Sequence, residues 1–224
     1  METVLGIDEA GRGAMIGPLV IAGVAVPQGE LAALHALGAR DSKAVARSRR
    51  RALVRKIARH FPIDVVVIPA SAVDAHNLTQ LELTAAATIA GAAGRRTGQL
   101  RVVLDAPVPS AALPRFLRTL SQLSGLPEAR LAAYPRADRT HPAVAAASLA
   151  AKVVRDAHVA HLRARYGDFG WGYPGEARCL AFLRDWLRNS GSLPPICRRR
   201  WRPAARLLAE QLQLADDFGP FLAG

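Results

Sequence analysis

Gly6-Ile7-Asp8-Glu9-Ala10-Gly11-Arg12-Gly13 is the stretch from which the rest of the chain is read. Two adjacent carboxylates end a short apolar run, Val4-Leu5-Gly6-Ile7, and two glycines flanking an arginine follow at once. In an extended segment neighbouring side chains point to opposite faces, so Asp8 and Glu9 can serve one site only where the chain bends or the strand ends. The glycines permit such a bend. Read from these residues alone, an acidic turn after a buried strand is the alternative.

Downstream, Met15 to Val26 is nearly unbroken apolar sequence with Gly17-Pro18 near its start. It predicts a second strand that pairs with the first through the Gly11 to Gly13 bend. Asp41-Ser42 offers an N-cap for a helix to about His60, with Val54, Ile57, Ala58 and Phe61 as its apolar face. Arg47, Arg51, Arg55 and Arg59 form a basic stripe on that helix, read as a solvated face or a phosphate-facing one. Ile63 to Pro69 predicts a buried strand. Thr79-Gln80-Leu81-Glu82 has the form of a capping box opening an Ala-rich helix to about Gly94. Arg101 to Asp105 is a further strand, Pro107 to Ser124 a helix, and Leu131 to Tyr134 a weaker strand before the loop Pro135 to Asp138. His141 to Tyr166 reads as a long helix whose small residues, Ala143 to Ala151, allow close packing on a sheet.

After Gly167 the strands stop. A glycine and aromatic loop, Phe169 to Gly175, leads to a helix from about Glu176 to Asn189. Pro194-Pro195 breaks the chain, a basic run surrounds Trp201, and a last helix runs from Pro203 to about Ala215. The fold class is therefore α/β: a mixed sheet, because a hairpin precedes strand-helix units, flanked by helices. The organisation expected is a core over 1–166, a C-terminal helical cap over 167–215 and a mobile tail over 216–224.

The chain has 224 residues and a formal net charge of +12, carried mostly by arginine, which favours a polyanionic partner, nucleic acid first. Codon bias toward arginine is the competing origin of that charge. Cys179 and Cys197 have neither a metal-ligand spacing nor a disulfide framework, and the N-terminus carries no leader, so a reduced, cytosolic protein is expected. No apolar run approaches the roughly 20 residues that span a bilayer, so no membrane partner is expected.

Within this basic chain, acidic residues recur at strand or loop ends: Asp8 with Glu9, Asp105 after Val102-Val103-Leu104, and Asp138. In α/β sheets functional groups gather beyond the strand ends. Such a carboxylate cluster repels itself unless it holds cations, and hard divalent ions prefer oxygen ligands. Two ions about 3.5–4 Å apart are the usual arrangement for in-line displacement at a phosphodiester. Helix capping by Asp105 and Asp138 is the alternative.

These residues, together with Asp41-Ser42-Lys43, His141-Pro142-Ala143 through Ser148, Ala151-Lys152-Val153 and Gly172-Tyr173-Pro174, resemble the ribonuclease HII family, the type 2 ribonucleases H, from residue 4 to about 203. The resemblance implies a ribonuclease H-like core and four metal-binding carboxylates, here Asp8, Glu9, Asp105 and Asp138, with Asp156 as rival for the fourth. It implies two divalent ions, Mg²⁺ or Mn²⁺, and cleavage of the RNA strand of RNA/DNA hybrids. It also implies cutting 5′ of single ribonucleotides in duplex DNA, leaving 3′-hydroxyl and 5′-phosphate ends, in ribonucleotide removal during replication and repair. Gly11, Arg12 and Gly13 would approach the 2′-hydroxyl, Tyr173 would pack on the junction sugar, and Lys43, Lys152 and Asn77 would contact substrate. A monomer is implied.

Arg198, Arg199, Arg200 and Arg202 form a run that grips the DNA backbone or is merely solvated. Gln211, Leu214 and Phe218 resemble the sliding-clamp peptide of some members, although Asp217 stands where an aromatic is expected. Ala14 replaces the proline common after Gly-Arg-Gly. A nucleic-acid-binding module without catalysis and a small-phosphoester hydrolase are the rival readings. Neither needs a Gly-Arg-Gly bend together with Tyr173.

Overall fold

In a computed structural model, residues 2–38 and 45–210 are described. Five strands form one mixed sheet in the order β3-β2-β1-β4-β5. These are β1 (Thr3–Ala10), β2 (Leu19–Pro27), β3 (Ile63–Ile68), β4 (Leu100–Asp105) and β5 (Leu131–Tyr134). β1 pairs antiparallel with β2, from Thr3 opposite Pro27 to Ala10 opposite Val20, and parallel with β4, which pairs parallel with β5. The hairpin followed by crossovers is the mixed sheet expected from the sequence.

The helices are α1 (Leu31–Ala36), α2 (Arg47–Ala58), α3 (Ala70–Ala75), α4 (Leu78–Arg96), α5 (Leu113–Ser124), α6 (Pro142–Tyr166) and α7 (Ala177–Ser190), with 202–210 also helical. The chain forms two compact units. The first comprises 1–10, 20–67 and 77–155; the second comprises 11–19, 68–76 and 156–224. α6 contributes residues through Arg155 to the first and from Asp156 to the second.

In the first unit α6 lies on β1 at backbone distance. A Cβ on Gly6 would stand 2.1 Å from the carbonyl carbon of Ala143, so only glycine in the strand and small residues in the helix allow the approach. Ala143, Val144, Ala146 and Ala147 pack there with Val4, Val24, Val26 and Val103. The second unit has its own core, in which Met15, Ile16 and Val159 meet Phe169, Leu183, Leu187, Cys197 and Leu207.

Three local expectations are corrected. β3 is an edge strand rather than a buried one, with Val65 and Val67 exposed. α2 begins at Arg47 after Ala46, and the expected cap Asp41-Ser42 lies outside the described residues, as do Lys43, the 216–224 tail and the clamp-like Gln211, Leu214 and Phe218. α4 is capped not by Thr79 and Glu82 but by Asn77, whose Oδ1 accepts from Gln80 N at 3.1 Å. No helix among the described residues is long and apolar enough to cross a membrane.

Candidate active site

Register brings the first two carboxylates together. Ile7 pairs with Leu104 across the parallel β1/β4 ladder, so Asp8 and Asp105 occupy the next positions of adjacent strands, about 4.8 Å apart in the hydrogen-bonding direction. Asp8 is 6 % exposed, and Glu9 and Asp105 line the same small cavity, with Ile7, Leu104 and Phe116 as apolar wall.

Burial pushes the Asp8 carboxyl up to about 6, and the neighbouring charge of Asp105 adds to the rise. Opposing it are a hydrogen bond with Ser148, the charge of Lys152 and the backbone N–H of Glu9, which donates to Asp8 Oδ1 at 2.7 Å. Asp105 is also raised, first by burial and then by the charge of Asp138, while the N–H of Ala137 donates to its Oδ1 at 2.9 Å.

Asp138 sits in a 3₁₀ turn, Ala137–Arg139, and is 4 % exposed. The turn follows Arg136, the one described non-glycine residue with positive φ, 59°. The strained loop thus delivers both the amide that binds Asp105 and the carboxylate that acts on it. Asp156 lies on α6, in the second unit, whereas Asp138 shares the first unit with Asp8 and Asp105.

Lys152 donates to Ser148 Oγ one helical turn away on α6, and both act on Asp8. Ser148 is fully buried. Ser148 has no role that its own residue type announces; the i, i+4 spacing of Ser148 and Lys152 is the signal in the sequence that points one helix face at Asp8. Glu82 is a second residue assigned otherwise. It is 4 % exposed and lines the cavity with Asp8, Glu9 and Asp105. Its place on the face that buries Ala85, Ala86, Ile89 and Ala93 distinguishes it from a solvent-facing capping residue.

The donor set suits a hard divalent cation: all its donors are oxygens, Asp8 and Asp138 are buried, and the charge of Asp105 opposes ionisation of Asp8 as that of Asp138 opposes ionisation of Asp105. Among the described residues no three acidic, cysteine or histidine side chains already stand in a closed coordination arrangement.

Of the remaining expected residues, Gly11, Arg12, Gly13 and Tyr173 belong to the second unit and Asn77 to the first. Gly11 bends the chain with φ 89°, whereas Gly13 has an ordinary φ and nothing within 4 Å of where a Cβ would be. The loop bearing half-buried Tyr173 is fastened to the residues that follow, for Gly172 O accepts from Met15 N at 2.7 Å and from Ile16 N at 3.2 Å. A Cβ on Gly172 would meet Ile16 O at 2.6 Å. Asn77 is accounted for locally as the cap of α4.

Of the basic run, Arg199, Arg200 and Arg202 are exposed. Arg198 is wholly buried, so neither the DNA-gripping nor the solvated reading of the run holds for it.

Residues 5–204 match the family model described as ribonuclease HII. The chain belongs to the ribonuclease HII family. A ribonuclease HII from Hyperthermus butylicus is 41% identical over 208 residues, 91% of this chain and 83% of that protein. The ribonuclease H2 of Pyrococcus horikoshii is 32% identical, with a TM-score of 0.81 over 93% of this chain and 98% of that one. The ribonuclease HII of Archaeoglobus fulgidus, solved in complex with PCNA, is 34% identical, with a TM-score of 0.78 over 89% and 95% of the two chains. As a ribonuclease HII, the chain is a metal-dependent endoribonuclease acting on RNA/DNA hybrids.

Proposed function

We propose that this ribonuclease HII also cuts duplex DNA at a single embedded ribonucleotide, on its 5′ side, leaving 3′-hydroxyl and 5′-phosphate ends for ribonucleotide removal in replication and repair. The observation that carries the chemistry is the placement of Asp8 and Asp105 one position beyond the paired Ile7 and Leu104, with Asp8 buried and raised in part by the charge of Asp105, and Asp105 raised in part by that of Asp138. Asp8, Glu9, Asp105 and Asp138 would hold two divalent ions, Mg²⁺ or Mn²⁺. When bound, such a pair supplies an activated water and charge stabilisation at the leaving 3′-oxygen.

The chain's own residues prepare that site. Ser148 and the Glu9 amide hold the Asp8 carboxylate in one orientation, and Lys152 favours its ionised form. The amide of Ala137 does the same for Asp105. No side chain is required as nucleophile.

Recognition of the sugar is assigned to Gly11, Arg12, Gly13 and Tyr173. The 2′-hydroxyl is the local mark that distinguishes RNA from DNA at one nucleotide. The open space at Gly13 supports close backbone approach to it. Lys43 and Asn77 are proposed as further substrate contacts. The clamp complex of the Archaeoglobus relative supports a sliding clamp as partner, through the tail containing Gln211, Leu214 and Phe218.

An end-labelled duplex carrying one ribonucleotide tests the reading. A single cut on the 5′ side of that nucleotide, with Mg²⁺ or Mn²⁺ and not with chelator, is expected. Cleavage confined to continuous RNA strands would refute the junction-reading part.

A further inference from the structure

Arg198 is a guanidinium with none of its surface exposed, and a buried cation is costly unless its donors are satisfied. Its partners come from the other end of the chain. Nη1 donates to Arg12 O at 2.9 Å, and Nη2 donates to Gly11 O at 2.8 Å and Gly17 O at 3.2 Å. Its own backbone N–H donates to Met15 O at 2.7 Å, and its guanidinium carbon lies 5.0 Å from the ring centre of Trp201. All of these residues belong to the second unit.

Successive carbonyls along an extended chain alternate in direction, so two in a row converge on one cation only if the backbone is bent. Gly11, at φ 89°, supplies the bend, and Arg198 holds it. The peptides here are trans, and in a trans peptide the C=O of one residue and the N–H of the next point oppositely. Fixing the carbonyls of Gly11 and Arg12 on the guanidinium therefore turns the N–H groups of Arg12 and Gly13 to the opposite side. Successive N–H groups aimed one way form a concavity suited to an electronegative ligand.

We propose that Arg198 is a positioning residue. It locks the Gly11 to Gly13 bend in the conformation whose amides meet the ribose, and so sets discrimination between ribonucleotide and deoxyribonucleotide. This rests on the reading of Gly11 to Gly13 as the sugar-recognising segment. Arginine is required because three carbonyls and a ring face are served by one planar fork; a lysine ammonium cannot span them.

The test uses the full chain with Arg198→Ala and Arg198→Lys, each checked for folding by circular dichroism and melting. The substrates are a duplex with one ribonucleotide and the same duplex with a 2′-deoxy nucleotide there. Misplacement of the bend is expected to lower kcat on the ribonucleotide duplex about 100-fold in both variants, with KM changed far less. Guanidinium at tens of millimolar, well below denaturing levels, is expected to restore Arg198→Ala, and methylammonium is not. A folded Arg198→Lys with the parent's kcat overturns the proposal. So does a loss confined to KM with a shallower salt dependence, the signature of a phosphate contact.

If neither variant folds, amide exchange in the parent decides, read with Ca²⁺ in place of a catalytic ion. Arg12 and Gly13 N–H must gain protection with the ribonucleotide duplex and not with the all-deoxy duplex; equal protection or none overturns the proposal. A parent enzyme indifferent to the 2′-hydroxyl refutes the sugar-recognition reading itself. A discriminating parent with an equally discriminating Arg198→Lys refutes only the role of Arg198.

Discussion

Asp8 is where sequence, burial and charge meet. Its carboxyl is raised from 3.8 to about 6, chiefly by burial, so between those values the folded state holds a proton that the unfolded state has released. The sign follows: without metal this group stabilises the fold least at neutral pH, and its penalty is relieved as pH falls through about 6. Asp8→Asn removes the buried charge and keeps a group that can accept from the Glu9 amide. It is expected to abolish turnover, and to raise the metal-free protein's stability at pH 7.5 by on the order of 2 kcal/mol, with little change near pH 4. Melting curves at the two pH values check this; an equal shift at both would separate the effect from ionisation of Asp8. Cleavage by the parent enzyme should rise with pH through the same region, because a proton competes with metal for the carboxylate.

At the scale of elements, α4 shows how one residue can carry two explanations. Asn77 caps the helix through Oδ1, and it is also proposed as a substrate contact. Asn77→Ala is expected to cost about 1 kcal/mol, whereas Asn77→Ser keeps the cap and most of the stability. Urea unfolding read beside cleavage kinetics separates the roles. If Asn77→Ser is both stable and fully active, the residue serves only as the cap. The same helix carries Glu82 into the cavity beside Asp8, because the face that buries Ala85, Ala86 and Ile89 passes through position 82. The motif Thr-x-x-Glu suggested a capping box; the helix is capped two residues earlier, at Asn77, which leaves Glu82 as a residue of the buried face.

For the whole molecule the net charge of +12 sets the long-range behaviour. A basic chain that neutralises several phosphates releases their counterions, so its affinity for a hybrid duplex falls steeply with salt. With Asp8→Asn to prevent cleavage, anisotropy titrations should show a loss of about 10³-fold or more between 50 and 200 mM salt for some six phosphate contacts. A nearly flat dependence would mean that the arginines reflect composition rather than binding. The exposed Arg199, Arg200 and Arg202 belong to this electrostatic surface, whereas Arg198, buried against the carbonyls of Gly11, Arg12 and Gly17, does not.

The amino-acid sequence by itself determined the five strands and the helices other than the short α1 and α3, the pairing of the first two strands, and the close packing of the small residues of α6 on a sheet, because periodicity, glycine and small residues act locally or along one element. It also carried Asp8, Glu9, Asp105 and Asp138 as a set, through their positions at strand and loop ends. Tertiary structure alone decided which polar side chains are buried and what they touch. Ser148 and Lys152 on α6 are drawn to Asp8 by the packing of that helix, Glu82 is carried into the same cavity, and β3 becomes an edge strand by its place in the sheet order. Arg198 is the clearest case: within a run of basic residues nothing local marks one as different. Only the fold, by bringing residue 198 to the Gly11 to Gly17 loop, turns a charge expected in solvent into a buried fork holding the bend in the segment Gly6 to Gly13.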